Sequence, residues 1–250
     1  GFSNNPFKTI ARTLEMINPT EDNPITIHLA AGTYAPSTNG ETFPIYVTSY
    51  IDFIGGGDAI TILDAEQTDG VFSFINSNSN ISNITITNGN NISWYGGGAY
   101  IETSNLDFVN VKITNNTSNS HGGGLYISDS SIVILNYVEL SDNITLNYGG
   151  GIYAINVNSV QIFNSLIFNN YTTSQFGLGG FIHMSSSTSS GWADLLLINV
   201  TSHHNSLQNS NGIRLIELTN LYIVNSIIND GINLFFTAGE SLCNHSNIPS

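Results

Sequence analysis

A glycine triplet that recurs at a nearly constant interval is the feature that most constrains this fold. The strings GGGAY, GGGLY and GGGIY begin at Gly96, Gly122 and Gly149. A repeat of this length is typical of a solenoid, in which each rung buries its apolar side chains only by stacking on the next. Three consecutive glycines also indicate a corner with positive φ or with a close approach of neighbouring backbone.

A second motif keeps the same period. An apolar residue three positions before an Asn begins at the evenly spaced Ile113, Leu140 and Ile167, and weakened copies begin at Ser202 and Ile228. Between the two motifs apolar and polar residues alternate with a period of two, which predicts β-strands rather than helical repeats. In two adjacent rungs the alternation predicts eight inward-facing side chains: Leu106, Phe108, Val111, Ile113, Ile132, Ile134, Val138 and Leu140.

A column of Asn residues marks another corner of the repeat. Its members are Asn83, Asn110, Asn164, Asn199 and Asn225. Asn tolerates left-handed backbone, and its amide can bond to neighbours, so we expect a structural ladder that breaks or shifts where Tyr137 takes the Asn position. The longest gap in the column holds a Ser-rich insertion, residues 184–194, which we expect to form a loop around Trp192.

The amino-terminal segment differs from the repeats. Residues 6–18 are predicted to form a helix, because apolar residues follow helical spacing at Ile10, Leu14 and Ile17. Pro19 ends the helix, since the residue before a proline is pushed out of helical backbone. Residues 25–29 then alternate as a strand, and Gly32–Tyr34 is predicted to turn the corner.

These strings resemble known repeat families. The segment PFKTIARTL…ITIHLAAGTY…FPIYV…IDFIGGG…TILDA resembles the amino-terminal entry of right-handed parallel β-helix proteins of the pectate-lyase-like superfamily, in which a short helix caps the first coil. The glycine and apolar-x-x-Asn motifs are similar to polymorphic outer membrane protein repeats. Together the resemblances cover about residues 6–231 and imply the architecture, whereas the fold alone implies no activity.

We therefore predict an all-β protein, a right-handed parallel β-helix of about seven to nine rungs with a short amino-terminal capping helix. Residues 1–250 are predicted to form one domain. Residues 1–35 are assigned to the cap and first rung, 36–231 to the stacked rungs, and 232–250 to an irregular carboxy-terminal tail.

Composition limits the partners of such a solenoid. Charged residues make up only 9%, and four Lys and Arg against 18 Asp and Glu give a net charge of −14. A chain this acidic is unsuited to nucleic acid or anionic membranes, because phosphate contacts need clustered cations. No run of apolar residues is long enough to insert into a membrane. A polar but weakly charged surface favours an extracellular or cell-surface location.

A search for reactive clusters finds none that is convincing. Arg214 and Glu217 are three apart on a strand and should face opposite ways. Lys112 and Glu139 lie one period apart and are interpreted as a cross-rung ion pair. His203 and His204 are the best metal-like feature, but adjacent strand residues are expected to point apart. The sequence therefore predicts no catalytic residue, no metal and no cofactor.

Two aromatic columns are the best candidates for ligand contact. One precedes the glycine triplets and the other follows them: Tyr95, His121 and Tyr148, then Tyr100, Tyr126 and Tyr153. Exposed strips of rings could stack on sugars, so carbohydrate binding is one interpretation. The alternative is that stacked rings only stabilise the solenoid.

The sequence also carries sequons and an unusual end. Sequons that would be glycosylated in a eukaryote begin at Asn80, Asn91, Asn115, Asn116, Asn143, Asn170 and Asn244. No amphipathic helix caps the carboxy-terminal end, so we expect self-association there, or a neighbouring domain, with Cys243 as a possible link. The favoured function is a structural or adhesive β-helix module. The alternatives are a carbohydrate-active enzyme, such as a polysaccharide lyase, and a carbohydrate-binding module.

Overall fold

The computed structural model describes residues 5–92, 95–174, 178–187, 191–205, 211–235 and 241–244. Within these ranges one short helix precedes a series of short strands, and each strand pairs in parallel with the strand about one period away. The chain is thus an all-β parallel β-helix, which confirms the predicted fold class. Successive rungs lie about 4.8 Å apart, the spacing of hydrogen-bonded strands.

Three long sheets and one short sheet run along the β-helix, as far as the described residues show. Sheet A contains β1 (Ile25–His28), β4 (Ile51–Ile54), β7 (Asn78–Ser82), β11 (Asn105–Val109), β15 (Ile132–Asn136), β19 (Ser159–Phe163), β23 (Ala193–Ile198), β26 (Thr219–Val224) and β29 (Ser241–Asn244). Sheet B contains β3 (Ile45–Val47), β6 (Phe72–Ile75), β10 (Ala99–Glu102), β14 (Leu125–Ser128), β18 (Ile152–Ile155), β22 (Ile182–Ser186), β25 (Ile213–Glu217) and β28 (Ile232–Phe235).

The other two sheets complete each rung. Sheet C contains β2 (Gly32–Tyr34), β5 (Thr61–Asp64), β8 (Thr85–Thr87), β12 (Lys112–Thr114), β16 (Glu139–Ser141), β20 (Leu166–Phe168), β24 (Thr201–His203) and β27 (Ile227–Ile228). Sheet D contains β9 (Asn90–Asn91), β13 (Thr117–Ser118), β17 (Ile144–Thr145) and β21 (Tyr171–Thr172). The chain therefore passes through sheets A, C, D and B in the central rungs.

Helix α1 (Ile10–Glu15) is shorter than the predicted segment 6–18. Its start is fixed at Thr9, whose side chain accepts a hydrogen bond from the Arg12 amide. The carboxylate of Glu41, which lies between β2 and β3, accepts the amides of Ile10 and Ala11 at 2.6 and 3.0 Å. The first turn is thus tied to the β-helix, and the predicted cap is present. Gly32–Tyr34, predicted as a turn, is strand β2 and pairs with β5.

The core is a stack of inward-facing aliphatic and aromatic side chains. Leu106 and Phe108 of β11 lie on Val133 and Leu135 of β15, and all four are buried. The prediction that Ile132 and Ile134 face inward is wrong, since both are partly exposed on the outer face. The predicted alignment is one residue out of register here, and a slip of one residue turns every side chain to the other face of a sheet.

The remaining inward predictions hold. Val111, Ile113, Val138 and Leu140 are buried, and Ile113 lies directly on Leu140.

The rung that contains the Ser-rich insertion is longer than the rungs before it, and its extra residues are divided between two corners. Strand β21 still pairs with β17 in the regular register of the repeat. Extra residues enter before β22, where His183 pairs with Tyr153, and more enter before β23, where Leu195 pairs with Val160. The loop predicted over 184–194 is therefore wrong at both ends, because Ser186 ends β22 and Ala193 begins β23.

One column of left-handed residues forms the corner between sheets A and C. The φ angles lie between 49° and 58° at Asn83, Asn110, Tyr137, Asn164, Asn199 and Asn225. Asn110 Nδ2 donates to Asn83 Oδ1 at 2.8 Å, and Asn199 Nδ2 donates to Asn164 Oδ1 at 3.0 Å. At Tyr137 the ladder shifts, and Asn164 donates to Asn136 at 3.0 Å.

The apolar-x-x-Asn motif builds a second, buried ladder. The residue before the motif Asn has φ between 53° and 56° at Asn115, Asp142, Asn169 and His204. This left-handed step directs the next side chain inward, so the ladder residues are fully buried: Asn116, Asn143, Asn170 and Asn205. Asp230 ends this ladder by accepting the Asn205 amide at 2.8 Å.

The glycine triplets show both of the predicted backbone features, a positive φ and a close approach of neighbouring backbone. The first glycine has φ between 68° and 74° at Gly96, Gly122 and Gly149. The second and third approach the next rung closely, and a Cβ on Gly123 would lie 2.4 Å from the Gly150 carbonyl oxygen. No side chain fits at that distance.

Strands continue beyond residue 231, where the sequence predicts an irregular tail. Strand β28 pairs with β25, and β29 pairs with β26. The prediction is wrong for these two segments, because parallel pairing with the rung before satisfies their backbone groups without strong side-chain alternation. Phe236 and most of residues 237–250 lie outside the described residues, including the expected carboxy-terminal contact.

Candidate functional site

Aromatic side chains from sheet B and its glycine corner form one continuous array on the outside of the β-helix. We call this set the aromatic array: Tyr95, Tyr100, His121, Tyr126, Tyr148, Tyr153 and His183. The sequence suggested two separate strips and gave no reason to include His183. In the structure the two strips interleave. Each ring that precedes a glycine triplet contacts the sheet B ring of the following rung.

The strand rings of the aromatic array stack along the solenoid axis. Tyr100 and Tyr126 have ring centroids 5.3 Å apart and planes 5° apart. Tyr126 and Tyr153 follow at 5.4 Å, and Tyr153 and His183 at 5.3 Å. The corner rings cover further surface, since Tyr95 stacks on Tyr126 at 4.5 Å and His121 meets Tyr153 edge-on at 4.5 Å. The faces of the middle rings are therefore occupied by other rings.

Burial favours the neutral form of four members of the aromatic array, Tyr126, Tyr153, His121 and His183. Burial is the largest cause that raises the pKa of Tyr126 and Tyr153 above the ordinary tyrosine value. Burial also lowers the pKa of His121, and burial with the nearby Arg214 and His121 lowers the pKa of His183 to about 3. Arg214 lies over the Tyr148 ring, 5.8 Å from its centroid, and supplies the positive charge at this end.

The other end of the stack opens into a cleft. Tyr46, Ser73 and Tyr100 occupy the same outward column in β3, β6 and β10. Ser73 is small and leaves a notch between two aromatic side chains whose backbones are two rungs, about 10 Å, apart. Tyr46 is 69% exposed. Tyr100 stacks on Tyr126 on one side only, so its other face is directed toward this notch.

Polar groups border the notch on both sides. We call the whole feature the Tyr46–Tyr100 cleft; its volume is about 290 Å³, and its lining is Pro44, Tyr46, Asp69, Gly70, Phe72, Ser73, Ile75, Asn91, Tyr100 and Glu102. Asp69 and Asn91 lie at the glycine-corner side, and Glu102 lies in the next outward column beside Ile75. The Tyr100 hydroxyl donates to Glu102, and the Asp69 side chain accepts the Gly70 amide at 2.7 Å.

Sequence reasoning missed Tyr46 and Ser73, although a signal was available. Both lie on the period of the repeat, since Tyr46, Ser73 and Tyr100 are evenly spaced along the chain. The missing information was that the column begins two rungs before the first glycine triplet. Glu102 could also have been found, because it lies two residues after Tyr100 on β10 and so shares its outward face. Asp69 carries no such signal, because its position relative to the cleft depends on how the corner folds.

The predicted ion pair is present, and the predicted separation of two histidines is wrong. Lys112 Nζ lies 2.6 Å from Glu139 Oε1 across two rungs of sheet C. His203 Nδ1 and His204 Nδ1 lie 3.1 Å apart rather than on opposite faces. The reason is that His204 has φ of 56°, so the alternation of the strand ends before it. In the described part of the chain, no group of three His, Cys, Asp or Glu side chains converges on a metal position.

The sequons divide into exposed and buried sites. The side chains of Asn80 and Asn115 are exposed. Four others are buried and hydrogen-bonded or closely packed, so the structure contradicts glycosylation at Asn91, Asn116, Asn143 and Asn170 in the folded chain. The Asn244 side chain lies outside the described residues. No helix in the described ranges has the length and apolar character needed to cross a membrane.

Comparison with known proteins supports the fold and names the family. Pectin methylesterase PemA from Erwinia chrysanthemi has a TM-score of 0.54 and 11% identity, over 93% of this chain and 78% of that chain. Pectin methylesterase from Yersinia enterocolitica has a TM-score of 0.52 and 14% identity, over 92% of this chain and 81% of that chain. At such identities the likeness shows a shared β-helix fold only.

The sequence comparisons differ in what they find. No curated protein matches the chain, and similarity to polymorphic outer membrane protein repeats stays a prediction. A family model described as "Protein of unknown function (DUF1565)" matches residues 1–234. Because this match spans most of the chain, the protein belongs to the DUF1565 family.

Proposed function

We propose that this protein is an extracellular or cell-surface β-helix module that binds carbohydrate in the Tyr46–Tyr100 cleft. The observation that carries the proposal is the notch at Ser73, where the aromatic stack ends and Tyr100 keeps a face for a ligand. Sugar rings pack their apolar faces on aromatic rings, while their hydroxyls bond to carboxylates and amides. Asp69, Asn91 and Glu102 supply such polar groups at the cleft margin.

The rest of the molecule serves this proposal as a rigid scaffold. The rungs are fixed by the buried Asn ladder and by continuous parallel sheets, so the cleft is largely preformed. A preformed site loses little conformational entropy when a ligand binds. The sequence predicts a structural or adhesive module, and glycan binding at the cleft is the form of adhesion that we propose.

The proposal is tested by titration calorimetry with neutral hexasaccharides of glucose and xylose. We expect Tyr46→Ala to weaken binding about fivefold, since one aromatic contact is worth about 1 kcal/mol. Tyr137→Ala is the matched control, because Tyr137 is 61% exposed but lies at a different corner. The proposal fails if no oligosaccharide binds, or if both variants lose affinity equally.

A hydrolytic carbohydrate-active enzyme is the second candidate, and one observation favours it. Asp52, Asn80 and Asp107 share an outward column of sheet A and line a cleft of about 310 Å³. Burial, and then the negative charge of Asp52, raises the pKa of the Asp107 carboxyl. A carboxyl group with a raised pKa beside a second carboxylate is an arrangement that glycoside hydrolases use. A lyase is less well supported, because no Lys or Arg lines this cleft.

Hydrolysis is tested by incubating the protein with a panel of polysaccharides, pectin included, and measuring new reducing ends and released methanol. If the second candidate holds, Asp107→Asn abolishes the product while the sugar affinity of the Tyr46–Tyr100 cleft is unchanged. Absence of product from every polysaccharide would remove this candidate.

A further inference from the structure

We infer that the Tyr46–Tyr100 cleft selects a cationic amino sugar, such as a β-linked glucosamine oligosaccharide, over neutral and acidic sugars. The inference rests on the proposed function, and it names the class of ligand. Two carboxylates carry it: Asp69 at the glycine-corner side of the cleft and Glu102 at the opposite side. A ring seated on Tyr100 would have a carboxylate on either side.

The charged side chains that line the Tyr46–Tyr100 cleft are all negative. Asp69 and Glu102 are the charged residues of the lining, and no Lys or Arg belongs to it. Both carboxylates are partly exposed, so they remain accessible to a ligand. Each is held in place by a local hydrogen bond, from the Gly70 amide to Asp69 and from the Tyr100 hydroxyl to Glu102. A protonated amine would add a charge-assisted hydrogen bond to either carboxylate.

The aromatic walls favour the same ligand. An ammonium group within about 6 Å of a tyrosine ring is attracted by the ring's negative face. Tyr46 and Tyr100 border the cleft on its two ends along the solenoid axis. A glucosamine unit therefore satisfies both features of the lining, with its apolar ring face on tyrosine and its amine toward a carboxylate.

Other charged ligands fit less well. A uronic acid would bring a third negative charge beside Asp69 and Glu102, in a protein whose net charge is already −14. Like charges in such proximity disfavour binding. A metal ion would find only these two carboxylates, placed at opposite margins, and no cluster of three ligands exists among the described residues.

The test compares three oligosaccharides of equal length by titration calorimetry at pH 6 and low salt. They are chitosan hexamer, its fully N-acetylated counterpart and galacturonate hexamer. We expect the chitosan hexamer to bind at least about tenfold more tightly than the acetylated hexamer, and the galacturonate hexamer to bind least. Added salt should reduce the first preference, because the groups involved are partly solvent-exposed.

Two variants locate the preference. Asp69→Asn and Glu102→Gln should each bring the ratio of chitosan to acetylated affinity toward one. Asp69→Asn is the more decisive, because Glu102 also orients Tyr100 through its hydroxyl. Glu139→Gln is the matched control, since this carboxylate lies on sheet C beside Lys112 and should leave the ratio unchanged.

The outcomes separate the two proposals. Equal affinity for the chitosan and acetylated hexamers, with both still sensitive to Tyr46→Ala, overturns the amino-sugar inference and leaves carbohydrate binding intact. Loss of the preference in Glu139→Gln as well as in Asp69→Asn would show general attraction to an acidic surface and also overturn the inference. No binding of any oligosaccharide removes both proposals.

Discussion

At the scale of single residues, the buried amides of the Asn ladder matter most for stability. Asn143 Nδ2 donates to the Ile113 carbonyl and to Asn170 Oδ1, both at 2.9 Å, while its Oδ1 accepts the Asn116 amide at 3.1 Å. Each group of this side chain is thus paired with a neighbouring rung. Removing it would take these partners from the Asn116 amide and the Ile113 carbonyl of the preceding rung, and each buried polar group left unpaired costs about 1–3 kcal/mol.

Asn143→Ala is accordingly expected to lower the free energy of unfolding by about 3 kcal/mol or more. Urea denaturation followed by circular dichroism measures the change. Asn119→Ala is the control, because the Asn119 side chain is exposed and should change stability by less than about 0.5 kcal/mol. Equal effects of the two substitutions would show that the ladder does not hold the rungs together.

His183 makes the stability of the fold depend on pH. Burial, with the charges of Arg214 and His121, lowers its pKa to about 3 in the folded chain, against about 6.5 in the unfolded chain. Below pH 6.5 the unfolded chain therefore binds a proton that the folded chain excludes. This contribution to stability is full above pH 6.5 and declines as the pH falls toward 3, by up to about 1.4 kcal/mol per pH unit.

We expect His183→Phe to flatten the fall in unfolding free energy between pH 6.5 and pH 4, because phenylalanine keeps a ring in the stack but cannot be protonated. Denaturation midpoints at several pH values measure this slope. Replacing the exposed His28 with Gln should leave the slope as it is in the natural protein. An unchanged slope in His183→Phe would contradict the argument.

At the scale of elements, the repeating unit is a strand that pairs with the equivalent strand of the next rung. The buried face of the strand fixes the register of this pairing. Phe108 of β11 is fully buried and meets the Phe74 ring edge-on, with centroids 6.4 Å apart. Its neighbour Val109 points outward and is 39% exposed. The two adjacent positions therefore differ in environment while they share the same backbone pairing.

Phe108→Ala should lower the free energy of unfolding by about 3–5 kcal/mol, from lost burial and the cavity left behind. Val109→Ala should have an effect below about 1 kcal/mol. Thermal and urea unfolding of the two variants, side by side, measure the difference. Similar losses in both would mean that the inward and outward faces of β11 are assigned incorrectly.

At the scale of the whole molecule, the two ends of the solenoid differ. The first rung is covered by α1, which Glu41 anchors. At the other end β27, β28 and β29 are the last strands of their sheets among the described residues. An uncovered sheet edge offers unpaired backbone groups to another strand. We therefore propose that a second copy of the chain or a neighbouring domain contacts this end.

Size-exclusion chromatography with light scattering, and electron microscopy of the same samples, test this contact. We expect concentration-dependent species larger than the 26.9 kDa monomer, with particles that lengthen along the solenoid axis. Lateral association is disfavoured by the net charge of −14. A monodisperse monomer at every concentration would contradict the proposed self-association.

The sequence by itself determined the repeat, the corners and most of the core. In a solenoid each rung contacts only the next, so the period of the sequence is also a contact map. Asn110 and Gly122, the first glycine of its triplet, take left-handed backbone for reasons of local sterics, which a sequence shows directly. The stacked partners Lys112 and Glu139 could be found in the same way.

Only the tertiary structure decided which face a side chain takes near a corner and where the candidate site lies. A single left-handed residue before Asn116 turns that side chain into the core, whereas the sequence alone suggests a surface sequon. The same step brings His203 and His204 together. Asp69 reaches the margin of the cleft through the geometry of the glycine corner, which has no period. Periodicity predicts stacking between rungs, but the shape within a rung depends on every corner at once.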